Sequence, residues 1–258
     1  MMRKYTIYFA AAALALGGAG FAQWNEAVVI SPGLAVEGQV VRGVPYSAQA
    51  VTSVKQTLAT GGEISTQMTA LVARDSEGRT RREQTLRAIG PWSLGGEPGR
   101  ESPTVIVIQD PVKQVSYALD PRTHLARMGR VRSANELEAA RKRENAGREE
   151  SFRREPRNER TESLGDQRIE GVRAEGKRTI TTFPPGSVGN TAPIEIVVDS
   201  WYSPELQVVV MSKRSDPRVG EMTYRLTNIK RGEPPASLFE VPGDYRVEPE
   251  REERPRKE

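Results

Sequence analysis

The chain has 258 residues, with 38 Lys and Arg set against 34 Asp and Glu, and no cysteine. The missing cysteines exclude disulfides, thiol nucleophiles, Cys-ligated zinc and a lipid-modified N-terminal cysteine. A net charge of +4 that is largely interleaved Arg and Glu describes solvated surface and argues against a nucleic-acid site.

The first element is an export signal. Arg3 and Lys4 supply positive charge, Ile7–Gly20 an apolar run, and Gly20-Phe21-Ala22 the small residues that a signal peptidase reads. The run falls short of the ~20 residues that span a bilayer as a helix. Cleavage is expected after Ala22, giving a periplasmic or extracellular protein with no transmembrane segment in the mature chain. Trp24–Gly43 offers one short strand candidate, Ala27–Ile30.

From Tyr46 the pattern becomes regular. Tyr46–Ala59 is rich in Val, Thr and Ser, and Gly61-Gly62 turns it. Ile64, Thr66, Met68, Ala70 and Val72 then share one face at period two. Asp75-Ser76-Glu77-Gly78 predicts a tight hairpin, and Arg79–Ala88 returns as a strand. Its Arg-Thr-Arg-Arg-Glu run predicts one face in solvent. Ile89–Pro103 is too rich in Gly and Pro for a regular element. Thr104–Gln109, Gln114–Leu119 and His124–Val131 follow as strands, separated by turns at Asp110-Pro111 and Asp120-Pro121. Turns at roughly ten-residue spacing indicate an antiparallel meander.

Ser133-Ala134-Asn135-Glu136 reads as a capping box, predicting a helix over 134–150. Between Gly147 and Glu162 almost nothing is apolar except Phe152, so this stretch is expected to be disordered or loosely helical. Strands resume with Gln167–Ala174 and Lys177–Phe183 around a turn at Glu175-Gly176. Ile194–Tyr202, Leu206–Arg214 and Glu221–Lys230 are the clearest strands. Leu238-Phe239-Glu240-Val241-Pro242 closes the domain, and the charged residues from Val247 onward are expected to fray.

Neither half has enough helix to cover its sheet. The economical solution is a mainly β fold, one strongly curved antiparallel sheet, or half-barrel, running through both halves. This gives a signal peptide at 1–22, a single domain at 23–247 interrupted by a charged, partly helical or disordered insertion at 132–162, and a flexible tail at 248–258.

The chemistry points away from catalysis. His124 is the single histidine, so a histidine-based metal site is excluded and a serine triad would depend on this one turn residue. Gly186-Ser187-Val188-Gly189 lacks nucleophile-elbow spacing, and no glycine cluster forms a phosphate cradle. Most carboxylates lie in Arg-rich runs or turns, and a hydrolase would need two of them facing each other in a cleft. No cofactor or metal is expected. Tyr46, Tyr117, Trp201, Tyr202 and Tyr224 fall on strands, where they either fill a closed core or line a pocket for an apolar ligand.

Trp201-Tyr202-Ser203-Pro204-Glu205-Leu206, Tyr224-Arg225-Leu226-Thr227-Asn228-Ile229-Lys230 and Leu238-Phe239-Glu240-Val241-Pro242-Gly243-Asp244-Tyr245 together resemble the end of exported proteins of the outer-membrane lipoprotein carrier (LolA/LolB/RseB-like) superfamily. There a strand ending in an Asn-Ile step precedes a Phe-x-x-Pro-x-x-Tyr closure. With Arg74–Glu83, the chain also resembles a set of exported bacterial proteins of similar length. The resemblance implies a bent antiparallel half-barrel whose concave side binds acyl chains or a partner's apolar segment, with no catalytic residues. The long charged insertion and polar tail depart from the carriers.

The expected function is therefore non-enzymatic binding of a lipid, lipoprotein acyl chain or other apolar ligand on the concave face. The candidate wall is Met68, Val72, Tyr117, Trp201, Val208, Val210, Tyr224 and Leu226. The alternative is an envelope protein-interaction or stress-sensing module that docks through the Arg/Glu tract. No nucleic-acid partner is expected, and the basic excess leaves peripheral contact with a membrane surface open.

Overall fold

The computed structural model describes residues 40–58, 60–85, 103–131 and 158–249. The expected signal segment, the strand at 27–30, the helix at 134–150 and residues 250–258 lie outside them, as does the charged tract up to residue 157.

The described strands are β1 (Tyr46–Thr57), β2 (Glu63–Arg74), β3 (Thr80–Thr85), β4 (Thr104–Asp110), β5 (Val115–Asp120), β6 (Leu125–Arg130), β7 (Asn158–Ile169), β8 (Val172–Phe183), β9 (Ile194–Ser203), β10 (Val208–Asp216), β11 (Gly220–Arg231) and β12 (Arg246–Pro249). All belong to one sheet in the order β12-β6-β5-β4-β3-β2-β1-β11-β10-β9-β8-β7. Two antiparallel meanders, β1–β6 and β7–β11, thus join along a β1–β11 seam, where Ala50 pairs with Leu226 and Thr52 with Tyr224. The sheet is not closed: β12 and β7 are its free edges.

Asp-Pro steps end three strands by the same device. In each, the Asp side chain accepts the amide two residues on: Asp110 from Val112 at 2.9 Å, Asp120 from Arg122 at 2.9 Å and Asp216 from Arg218 at 3.1 Å. The carboxylate fixes the turn locally, while proline forbids continuation of the ladder.

The sheet curls strongly at one corner. β11 and β8 have two strands between them, about 14 Å in a flat sheet. Nevertheless Glu170, in the β7–β8 turn, accepts the Asn228 amide of β11 at 3.0 Å. Arg231 donates to the Gly171 carbonyl at 2.6 Å. A bulge in β11 opposite Ser47 and Gln49, with Asn228 at φ +54°, presents that amide to Glu170. Arg74 spans a similar gap, donating to the Val44 carbonyl at 2.9 Å and to the Leu206 carbonyl in the β9–β10 turn.

Several elements depart from the sequence reading. The β7–β8 turn is Glu170-Gly171, not Glu175-Gly176, with φ of +50° and +79°. Both Glu-Gly pairs suit a hairpin. The first extends β7 back to Asn158 and pairs Asn158–Glu162 with β8, so these five residues are strand rather than loose chain. Gly176 sits instead in mid-strand, where a Cβ would lie 2.8 Å from Trp201 Nε1. β3 keeps one partly exposed face, with the Glu83 side chain 36% exposed, but its other face buries Arg82 and Gln84. Residues 246–249 are not frayed. They pair in parallel with Leu125–Met128, and the Arg246 amide donates to the His124 carbonyl at 2.8 Å.

Apolar packing divides between the two faces. One cluster gathers Tyr46, Ala48, Ala50, Ala70, Val72, Ile169, Val172, Ala174, Leu206, Val208, Val210, Tyr224 and Leu226 from both meanders. The other gathers Ala73, Ile106, Ile108, Leu119 and Ala126 beneath Phe239, which a short 3-10 turn, Ala236–Phe239, delivers. We call the first face inner and the second outer.

Candidate functional site

Side chains alternate along a strand until a bulge resets them, so register decides which residues share the inner wall. Val72 pairs with Ala48 and Arg82, Ala70 with Ala50 and Gln84, and Thr52 with Met68 and Tyr224. Of the eight residues expected from sequence, Val72, Val208, Val210, Tyr224 and Leu226 lie in the inner cluster. Met68 joins them by register, and its sulfur lies 3.7 Å from Gln84 Nε2. Trp201 packs on the margin, opposite Met211 and beside a bulge in β10.

Tyr117 does not belong to the wall. On β5 the inner position is Ala118, which pairs with Val107, itself paired with Arg82. Tyr117 pairs with Ile108 and packs in the outer cluster near Phe239. An aromatic on a predicted strand could not be assigned a face until the register of four preceding strands was known.

The inner wall is itself amphipathic. Toward the β9–β10 turn it is apolar, formed by Ala48, Val72, Leu226, Val208 and Val210. Next to this lies a row of paired positions, Met68, Thr52, Tyr224, Ser212 and Ser200, that crosses five strands. All but one of these carry a polar group. Arg82 reaches toward this belt, because its Nε and Nη2 both donate to Gln84 Oε1, at 3.0 and 2.8 Å.

Burial sets the electrostatics of this wall. Tyr224 is 1 % exposed and Arg82 is 4 % exposed. Desolvation pushes the Tyr224 phenol far above its ordinary value; Tyr46 adds to the rise and Arg82 opposes it. Tyr46 is raised by the same cause, opposed by Arg74 and Arg82. Desolvation also lowers the pKa of both arginines. Arg74 meets neutral carbonyls and lies 5.0 Å from the centre of the Tyr46 ring. The inner wall thus holds two buried cations and two phenols that keep their protons.

Sequence reasoning missed Arg82, Gln84 and Ser200. The available signal was the two-residue spacing of Arg82 and Gln84, in phase with Val72 and Ala70 once the β2–β3 hairpin is closed about Asp75–Gly78. Composition alone sends an Arg-rich strand to solvent.

The buried carboxylates are engaged elsewhere. Asp75 binds Arg79, Asp199 binds Arg178, Asp216 binds Arg218 and Arg214, and Asp110 and Asp120 hold turn amides. His124 is half exposed, 2.9 Å from Asp244 and stacked on Tyr245. Among the described residues no group of His, Asp and Glu is placed to hold a metal. On the outer face, Gln49, Thr69, Leu71, Glu83 and Thr85 border an open depression of about 150 Å³. That is smaller than the ~300–1,000 Å³ usual for a small-molecule site. No helix among the described residues is long and apolar enough to cross a membrane.

No family model and no curated protein sequence matches the chain. Among solved structures it is similar to MucB, to a lipoprotein of Mycobacterium tuberculosis and to a LolA superfamily protein. The MucB likeness, from the Pseudomonas aeruginosa MucA/MucB complex, has TM-score 0.36 and 10% identity over 78% of this chain and 58% of that one. The chain thus spans less than two thirds of the length of MucB; in a second MucB structure the share is 62%. The mycobacterial lipoprotein LppX gives TM-score 0.32 and 13% identity, over 74% of this chain and 88% of that one. The LolA superfamily protein of Nitrosomonas europaea gives 0.29 and 7%, over 80% and 94%. These likenesses lie in the group that the C-terminal motifs resemble, and at such identities and TM-scores they carry no argument about ligand or partner.

Proposed function

We propose that the chain is a non-enzymatic exported protein that holds a lipid, a lipoprotein acyl chain or another apolar ligand against the inner wall of its curved sheet. One observation carries the reading: apolar side chains of both meanders, Val72 and Ala70 from one and Leu226, Val208 and Val210 from the other, form one continuous surface across the β1–β11 seam. A surface lined by such residues takes a hydrocarbon through the hydrophobic effect, about 25 cal/mol per Å² removed from water.

The wall is closed to solvent here, with Val210 and Leu226 at 0 % exposure. Binding is therefore coupled to an opening of the curl. The corner that holds the curl is fastened by exposed pairs, Arg225–Glu170 at 3.3 Å and Arg231–Glu205 at 3.5 Å. Exposed pairs of this kind are worth about 0–1 kcal/mol each, and the hydrogen bonds from Asn228, Arg231 and Arg74 across the same corner add to them.

The test is native mass spectrometry of protein purified gently from its own envelope, followed by organic extraction. A bound species of lipid mass that the extraction removes is the expected result. A homogeneous apoprotein that also fails to take up added lipid rejects the reading.

A further inference from the structure

The described sheet ends in two unlike edges. β12 is four residues long and ends on Pro249, which has no amide to offer a further strand. β7 is twelve residues long, and every residue from Asn158 to Arg168 is exposed. Its register with β8 is regular from Asn158 to Ser163 and breaks at a bulge before Gly165. A regular, exposed edge of this kind is a template for another strand.

Charge says which strand fits. Paired positions set Lys213 of β10, Asp199 of β9, Arg178 of β8 and Glu162 of β7 in one row. The signs alternate, Arg178 binds Asp199 at 2.6 Å, and the row stops at the edge on an anion. A further strand that continues the row places a cation opposite Glu162. β7 carries that cation itself: Arg160 lies two residues away on the same face, its Nε 3.3 Å from Glu162 Oε1. In an antiparallel pair, residues whose main-chain groups face the partner stand opposite one another, so a twofold axis relating two copies of β7 runs through a residue and not between two. Within the regular run, an axis at Glu159, Arg160 or Glu162 sets a charge opposite its own copy, which is unfavourable. An axis at Thr161 sets Arg160 opposite Glu162 twice and Glu159 opposite Ser163.

The geometry points to β7 as a self-pairing edge, at which two copies of this chain join antiparallel about Thr161 and their sheets become one across two Arg160–Glu162 pairs. Charges of a single sign would guard the edge against such pairing. A cation and an anion two residues apart instead reject the neighbouring registers and accept this one. The pairing is independent of what the inner wall holds.

The experiment is sedimentation velocity of the mature chain. The paired run is short, so the interface belongs to the weak class, and the dimer is expected to build up between about 10 and 500 μM protein. Arg160 and Glu162 are exposed, so their variants are expected to keep the fold. Arg160→Glu and Glu162→Arg should each stay monomeric across that range. Mixed in equal amounts they should associate, because each supplies the sign that the other lacks at both pairs. The double variant R160E/E162R should dimerise as wild type does. The chain has no cysteine, so Thr161→Cys gives each copy a single thiol. Directly opposed residues lie about 4.5–5.5 Å apart at Cα, within disulfide reach, so this variant should oxidise to a covalent dimer. Val112→Cys, exposed on the other meander, should not. Wild type that stays monomeric across the range, with Thr161→Cys cross-linking no faster than Val112→Cys, leaves the edge to the strand of a different protein and overturns self-pairing. Association that both single reversals leave unchanged puts the contact elsewhere and overturns it as well.

Discussion

The two faces of this sheet use opposite economies. The outer core is built from one meander, β2 to β6, and sealed by a short segment from the far end of the chain. Phe239 covers Ala73, Ile106, Ile108 and Leu119, Arg81 donates to the Leu238 carbonyl at 3.1 Å, and β12 finishes the edge. The inner core is assembled from both meanders, contains two buried arginines and leaves the Tyr224 and Ser200 hydroxyls without partners. A core made only for stability has no reason to bury such groups, because each costs about 1–3 kcal/mol. Under the function proposed above, the outer face is the fastening and the inner face the working surface.

Five changes sharpen or break that contrast. Phe239→Ala should be the most damaging, at about 3–5 kcal/mol in urea unfolding, because it removes the buried aromatic that the closing segment lays into the outer core. It should not change selectivity among bound amphiphiles; a change would show that the faces are not separate. Gly176→Ala follows, at about 1–3 kcal/mol, because the new methyl falls 2.8 Å from Leu164 Cβ and Trp201 Nε1. A shift in tryptophan emission is the accompanying sign.

Tyr224→Phe should move stability the other way. Removal of an unpartnered buried hydroxyl is expected to raise ligand-free stability by about 1 kcal/mol, seen as a higher Tm. A lower Tm would mean that the hydroxyl is satisfied and the contrast is false. Asp216 sets an acid limit. The Arg218 side chain holds its pKa below the ordinary 3.8, burial opposing, and the Arg218 amide and Arg214 assist. The unfolded state then binds the proton more readily. Stability from this group is present above pH about 3.8 and is lost as pH falls through the lower folded value. Asp216→Asn should be less stable than wild type at pH 7, with the gap narrowing in acid.

The smallest effect belongs to the corner. Glu170→Gln weakens an exposed pair with Arg225 and should cost under about 1 kcal/mol, less in high salt. If the corner governs opening of the curl, the same variant takes up lipid faster.

The sequence made the larger architecture legible because alternation and turn chemistry are local. Asp-Pro steps marked the ends of β4 and β5, and period two in β2 separated Met68, Ala70 and Val72 from the opposite side. What it hid was relational. Two Glu-Gly pairs five residues apart compete for one turn, and only the close approach of Trp201 to Gly176 shows why the second stays in mid-strand. Tyr117 changed faces because its parity is inherited through pairing, from Val72 to Arg82 to Val107 to Ala118. β12 is a parallel pairing between segments more than a hundred residues apart, which no short-range pattern encodes. Arg82 was hidden for a different reason: a buried arginine looks like a surface one until its neighbours are known.

The most direct measurement is photocrosslinking with a diazirine-bearing fatty acid, with the labelled peptides identified by tandem mass spectrometry. The account predicts label on β2 around Val72, on β10 around Val208 and Val210, and on β11 around Leu226, from both meanders at once. Label confined to outer-face or edge residues such as Leu71, Val112 and Val247 would contradict it.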